Sequence, residues 1–340
     1  MTSVLPGLDL ERLGAWFAAE IPDVGGELTA TLIAGGKSNL TFLVTDGASE
    51  WIVRRPPLGH VLATAHDMAR EYRVMSALRD TPVPVPPTYA LCRDAAVVGA
   101  EFYVMGRCAG TPFRRADELA VLGPERTRAI STGLVDTLVA LHQVDPAAAG
   151  LGHFGRPEGF LARQVHRWNK QLAASRSRDL PAAEKLYARL AADVPAGSAT
   201  GIVHGDFRLD NLLIDESDTV TAVLDWEMAT LGDPLTDLAL MLTYHRLAAM
   251  HLGDAVNDAA SAPGFLGQDE IIARYASGSD RDLSQFGFYL GLAAFKLAAI
   301  LEGIHYRHIT GHTVGEGFDH IGDAIHPLLD VGVSALKEYR

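Results

Sequence analysis

Asp206 and Asn211 stand five residues apart in His204-Gly205-Asp206-Phe207-Arg208-Leu209-Asp210-Asn211, and an apolar run then leads to Asp225-Trp226-Glu227. An acid, an amide and a second acid in this order suit phosphoryl transfer. That chemistry needs one carboxylate beside an attacking hydroxyl, and oxygen ligands from an amide and a second carboxylate to hold Mg2+ on the phosphates. Asp206, Asn211 and Asp225 supply the set. The structural alternative is an ordinary turn in which His204, Asp206 and Asp210 cap backbone groups.

These residues sit in a short β-rich island, IVHGDFRLDNLLIDESDTVTAVLDWE, whose β-branched runs are separated by polar turns with the carboxylates at the turns. Around it, from about Asp117, the patterns are helical: Glu125 to His142, Glu158 to Ala174, Leu180 to Ala192, Leu235 to Met250 and Ser284 to Arg307. The first third reads differently. After an amphipathic N-terminal helix, residues 27 to 55 alternate apolar and polar positions between Gly-containing breaks, which predicts three antiparallel strands. His66 to Leu78 predicts a helix burying Met68, Tyr72, Met75 and Leu78. Ala100 to Met105 predicts a further strand, broken by GRCAG at 106 to 110.

In the first strand region, Gly35-Gly36-Lys37-Ser38-Asn39 lies between two strands, where glycines let backbone N–H groups approach phosphates, with Ser38 as the side-chain contact. A Walker A loop is excluded, because Thr31 stands where its first glycine is required and a strand follows instead of a helix. A hairpin turn is the plain alternative.

The loop HGDxxxxN followed by an aspartate on the next hairpin resembles the aminoglycoside phosphotransferase and choline kinase superfamily. More narrowly, GGKSNLTFLV, WIVRRPP, AREYRVMSAL, VHGDFRLDNLL and LDWEMATLGDPLTDLA resemble the kinase-like domain found fused to acyl-CoA dehydrogenases. The resemblance implies an α+β, protein-kinase-like bilobal fold with a small antiparallel β lobe and a larger, mostly helical lobe. It implies an ATP-binding lobe over 1–105, a hinge over 106–110, and a catalytic and acceptor-binding lobe over 111–340. By the same resemblance Asp206 is the catalytic base, Asn211 and Asp225 hold Mg2+, and Asp237 supports the catalytic loop from below.

Arg54 takes the place of the kinase strand lysine that contacts the phosphates, and Glu71 on the following helix is its partner, since a buried cation needs an anion. Arg55 next door leaves the assignment open by one residue. The run from Phe102 to Cys108 would set backbone groups against adenine, with Met105 bordering the slot; for Met105 and Tyr103, core packing is the alternative. His142, in the phrase LHQVD, is expected to pack structurally. His305, His308, His312 and Glu302 have helical spacing but no accompanying general-base motif, which favours cleft-wall or solvent positions over metal ligands.

The implied activity is a small-molecule kinase using ATP and Mg2+, with a hydroxyl acceptor. The subgroup resemblance favours a hydroxylated acid or acyl thioester over an aminoglycoside. The rival reading is a nucleotide-binding pseudokinase, for which Arg54 in place of lysine is the one feature. A protein kinase is disfavoured by the short interval between Asp225 and Asp233. With 42 acidic against 29 basic residues, a net charge of −13 argues against a nucleic-acid partner. Two cysteines, Cys92 and Cys108, form neither a disulfide scaffold nor a CxxC site, which points to a cytoplasmic setting. The N-terminus lacks the basic region of a signal peptide. The longest apolar stretches, such as Phe288 to Leu301, read as too short for a membrane span and carry Lys296.

Overall fold

The computed structural model describes residues 5–33, 39–58, 67–196, 200–250, 257–312 and 318–338. Contacts divide the chain into two compact units, Met1–Gly110 with Thr221–Ala229, and Thr111–Val220 with Thr230–Arg340. A contiguous division near residue 110 does not anticipate this arrangement. The stretch carrying Asp225 packs with the β-rich unit although it lies over a hundred residues further along.

In the first unit, helix α1 (Leu10–Glu20) starts at Asp9, whose carboxylate accepts from the Arg12 N–H. Strands β1 (Thr29–Leu32), β2 (Leu40–Thr45) and β3 (Glu50–Arg55) form the expected meander. Helix α2 (Met68–Leu78) is capped by Asp67. Strand β4 (Thr88–Cys92), helix α3 (Ala95–Val98) and β5 (Phe102–Gly106) complete an antiparallel sheet of order β1-β2-β3-β5-β4. The sequence patterns missed β4, because its Thr-Tyr-Ala-Leu-Cys run follows a proline-rich turn and is too short to show alternation. Phe17, Phe42, Val44, Trp51, Phe102 and Val104 form the core behind this sheet. On α2 the buried residues are Met68, Glu71, Val74, Met75 and Leu78, while Tyr72 is only half-buried. The buried face therefore carries a carboxylate where apolar spacing alone predicted Tyr72.

The second unit is helical, with α4 (Ala116–Ala120), α5 (Pro124–Gln143), α6 (Phe160–Ser175) and α7 (Pro181–Ala192) leading to strand β6 (Gly201–Val203). Prolines open α5 and α7 at positions where the missing N–H is not needed. Strands β7 (Leu212–Ile214) and β9 (Thr230–Gly232) follow, with β9 antiparallel to β6; β8 (Val220–Val223), between them in sequence, falls from Thr221 onward in the stretch assigned to the first unit. Helices α8 (Leu235–Ala248), α9 (Gln268–Ser277), α10 (Phe286–Ile309) and α11 (Ile325–Glu338) complete the described chain.

Helix α10 corrects one expectation. Its 24 residues are long and apolar enough to cross a membrane by length and composition, and 83% of that apolar window is buried inside the fold. Lys296 does not interrupt it. The Lys296 amine donates to the Gly205 carbonyl at 2.5 Å and lies 5.5 Å from the centre of the Trp168 ring, so the charge is accommodated and the helix runs on.

Candidate functional site

The residues expected to form the catalytic loop lie in the helical unit. Strand β6 ends at Val203, and Gly205 turns the chain with a φ of +87°, a left-handed conformation that suits glycine. The buried carboxylate of Asp237 holds this turn, accepting from the N–H of His204 at 2.6 Å and of Gly205 at 2.8 Å. Burial alone would raise the pKa of Asp237. His142, His204 and the backbone N–H groups outweigh it and hold the carboxyl below its usual range. Behind it, His142 contacts Asp237 through Nε2 at 3.4 Å and the Tyr275 hydroxyl through Nδ1 at 2.8 Å. Burial lowers the pKa of His142, so the neutral ring can donate from Nε2 and accept at Nδ1. His142 is thus a packed, hydrogen-bonded core histidine, as the sequence led us to expect.

Asp206 itself is braced at both oxygens. Asn211 turns its amide nitrogen onto Asp206, 2.8 Å from the backbone carbonyl and 3.2 Å from Oδ2. With that nitrogen committed to Asp206, the amide oxygen is the atom of Asn211 suited to a hard cation. Arg208 Nε lies 3.3 Å from the same Oδ2, and its Nη2 lies 3.0 Å from Asp210. Asn257 also donates to Asp210, at 2.6 Å. The hydroxyl of Tyr244 donates to the other oxygen of Asp206, Oδ1, at 3.1 Å. Tyr244, Arg208, Asp210 and Asn257 line a cavity of about 50 Å³ that is otherwise mainly apolar.

The β-rich unit gathers a second set. On β3, successive side chains point to opposite faces, and this separates Arg54 from Arg55. Arg54 lies 3.2 Å from Glu71 and 2.6 Å from Asp225. Arg55 is buried on the other side, donating to the carbonyls of Gly7, Pro56 and Val98. The register that the sequence left open by one residue is therefore decided in favour of Arg54 for the Glu71 and Asp225 side.

Burial works against the charge on Arg54, but Glu71, Tyr103 and Asp225 outweigh it and raise its pKa above the usual arginine value. For Glu71, burial dominates and pushes the pKa up to about 7, with Arg54 opposing and Asp225 adding to the rise. Tyr103 donates to Glu71 at 3.0 Å, and the Asn39 amide lies 3.3 Å from both Glu71 and Glu227. Asp225 adopts a φ of +66°, which is uncommon for a residue with a side chain. The buried Trp226 anchors this turn, donating to the Val223 carbonyl at 2.9 Å.

Of the remaining expected residues, Met105 is buried in β5, paired with Ile52, and Cys108 is half-buried just beyond it. Gly35, Gly36 and Ser38 lie outside the described residues. Asp233 accepts from the Leu235 N–H at the start of α8 and from the Tyr289 hydroxyl, consistent with a structural role. Glu302 accepts from Ser177 and pairs with Arg178. Among the described residues no group of three or more His, Cys, Asp or Glu side chains could hold a metal ion.

Sequence reasoning missed Tyr244 and Lys296. The signals were present: Tyr244 follows Asp237 by seven residues, two turns along one helix face, and Lys296 is the one cation in the apolar run from Phe286 to Leu301.

Residues 29–270 match the model of the Phosphotransferase enzyme family. Across 97% of the chain, 34% of positions are identical to acyl-CoA dehydrogenase family member 11 of Mus musculus, of which 43% is covered. The chain thus spans less than half the length of that curated relative. A candidate aminoglycoside phosphotransferase of Ralstonia eutropha matches with a TM-score of 0.85 and 32% identity, over 98% of this chain and 99% of that one. The aminoglycoside phosphotransferase APH(4)-Ia, solved with AMP-PNP and hygromycin B, matches at a TM-score of 0.60 over 96% of this chain and 97% of that one. Its 16% identity speaks to the fold alone. The α+β, kinase-like fold class is therefore that of the aminoglycoside phosphotransferases. A family match over residues 29–270 and a solved relative similar along nearly the whole of both chains lead to one statement: the chain belongs to the phosphotransferase enzyme family.

Proposed function

We propose that the chain is an ATP-dependent small-molecule kinase that moves the γ-phosphate of MgATP to a hydroxyl of its acceptor. The observation that carries this reading is the bracing of Asp206, whose carboxylate is held at both oxygens on a loop whose backbone is tied to Asp237. A base held in one orientation is what a positioned acceptor needs. Asp206 takes the hydroxyl proton as the acceptor oxygen forms its bond to phosphorus, and the bond from the γ-phosphorus to the bridging oxygen breaks to release ADP. Arg54 presents a positive charge on the Asp225 side for the nucleotide phosphates.

Asn211 and Asp225 would hold Mg2+ through hard oxygen donors, and the Asp225 side chain keeps 30% exposure despite its contact with Arg54. When bound, the ion neutralises charge on the phosphates. The match to acyl-CoA dehydrogenase family member 11 supports a hydroxylated acid or acyl thioester as acceptor over an aminoglycoside. Cys92 and Cys108 are free thiols, which accords with a reducing cytoplasmic setting.

A second reading, a nucleotide-binding pseudokinase, is favoured by one contact: Arg54 ties up an oxygen of Asp225 at 2.6 Å. One experiment separates the two. Hydroxylated acids, their CoA esters, aminoglycosides and amino alcohols are screened for ATP consumption, with the phosphate located on any product by mass spectrometry. Phosphorylated product is expected. Nucleotide binding without turnover on any acceptor would favour the pseudokinase.

A further inference from the structure

We propose that Tyr244 is a positioning residue for the reaction, holding Asp206 in the rotamer that faces the acceptor hydroxyl. This rests on the kinase reading above. Two hydrogen-bond donors and one cation approach the Asp206 carboxylate, and they divide unequally between its oxygens. Asn211 and Arg208 both approach Oδ2, at 3.2 and 3.3 Å, while the Tyr244 hydroxyl donates to Oδ1 at 3.1 Å. Donors at one oxygen alone leave the carboxylate free to swing about that contact. A donor at the second oxygen fixes its plane, and a carboxylate oxygen with a second lone pair can still accept from an acceptor hydroxyl.

Tyr244 is itself well placed for this task. It lies on α8 seven residues after Asp237, which sets the two side chains on one helix face about 10 Å apart along the axis. One rigid helix therefore grips the catalytic loop twice. Asp237 holds the backbone at His204 and Gly205, and Tyr244 holds the side chain at Asp206. The Arg208 guanidinium lies 5.0 Å from the centre of the Tyr244 ring, which limits the swing of the phenol. Burial and the neighbouring Asp206 charge raise the pKa of Tyr244, so the phenol stays protonated and remains a donor. A side chain on a helix, supported by stacking, is a more exact guide than one on a loop.

The test is Tyr244→Phe, which removes the hydroxyl and keeps the ring beneath Arg208. Steady-state kinetics are run with MgATP and the acceptor that the panel above identifies, alongside thermal unfolding of the same preparations. The expected result is a fall in kcat of about tenfold with KM for ATP and for the acceptor within about twofold of wild type, the pattern of a misaligned base. Loss of packing alone would lower the unfolding temperature and leave kcat per folded molecule unchanged, and that outcome overturns the proposal. So does a rise in acceptor KM at constant kcat, which would make Tyr244 a binding residue. Should Tyr244→Phe fold poorly, kcat is taken per folded molecule below its unfolding temperature, and a value equal to that of wild type overturns the role. Wild-type protein that phosphorylates no acceptor sinks the kinase reading and this proposal together. Wild-type turnover with a fully active Tyr244→Phe sinks only the proposal.

Discussion

Arg54 and Asp225 meet across 171 residues of sequence, with Nη2 of the arginine 2.6 Å from Oδ1 of the aspartate. The same guanidinium lies 3.2 Å from Glu71, so one cation serves two carboxylates. Glu71 is buried and Asp225 keeps 30% exposure, and a carboxylate removed from water needs a compensating charge or hydrogen bonds: Arg54 supplies the charge to both, while Tyr103 and Asn39 add hydrogen bonds at Glu71. Arg54 thereby links strand β3, helix α2 and the Asp225 turn.

Arg54 and Arg55 should consequently fail in different ways when truncated. Arg54→Ala is expected to raise the KM for ATP and also to lower stability, by up to roughly 3–5 kcal/mol, because it leaves the buried Glu71 carboxylate without its cation. Arg55→Ala removes the donor to the half-buried carbonyls of Gly7 and Pro56 and strands the buried Val98 carbonyl, at roughly 1–3 kcal/mol for a buried group left unpaired. Its KM for ATP should hardly move. Paired measurements of ATP kinetics and urea unfolding check both, and a raised KM in Arg55→Ala alone would reverse the assignment.

Asp206→Asn should lower turnover by about two to four orders of magnitude, the range for losing a positioned general base, while AMP-PNP binding stays near wild type. Asp225→Ala should instead weaken Mg2+-dependent nucleotide binding as well as turnover. Isothermal titration with AMP-PNP, with and without Mg2+, distinguishes the two variants. Equal MgAMP-PNP affinity in Asp225→Ala and wild type would remove Asp225 from the metal site.

Glu71 should leave a mark on the pH dependence of stability. Its pKa rises from an ordinary 4.5 to about 7 on folding, chiefly through burial. The folded state therefore binds its proton more tightly than the unfolded state does. The resulting stabilisation is full below pH 4.5 and is lost as the pH rises through about 7. Glu71→Gln removes this term, so urea midpoints measured from pH 5 to 8 should fall less steeply than in wild type. An unchanged slope would contradict the raised pKa.

Asp237→Ala removes the shared acceptor for His204, Gly205 and His142 in a buried setting. Leaving those groups without their charged partner should cost roughly 3–5 kcal/mol. Chemical denaturation is the direct measurement. A loss below about 1 kcal/mol, the scale of an ordinary exposed ion pair, would mean that the catalytic turn is held by other contacts.

Much of the loop from His204 to Asn211 was readable because its contacts are local. Asp206 and Asn211 are five residues apart, and a turn this tight brings their side chains together whatever surrounds it. The strands at 29–55 and the helix at 68–78 were also legible, since alternation and helical spacing are written in the positions of apolar residues. Periodicity says that a face is buried, but not what it is buried against. For that reason the sequence did not show that Tyr244 meets Asp206, or that Lys296 is stabilised by the Gly205 carbonyl and Trp168. The choice between Arg54 and Arg55 also waited for the register of β3 against β5, because a shift of one residue in a strand exchanges its two faces. These contacts join residues 38 to 171 positions apart, and only the packing of helices and sheet brings such residues together.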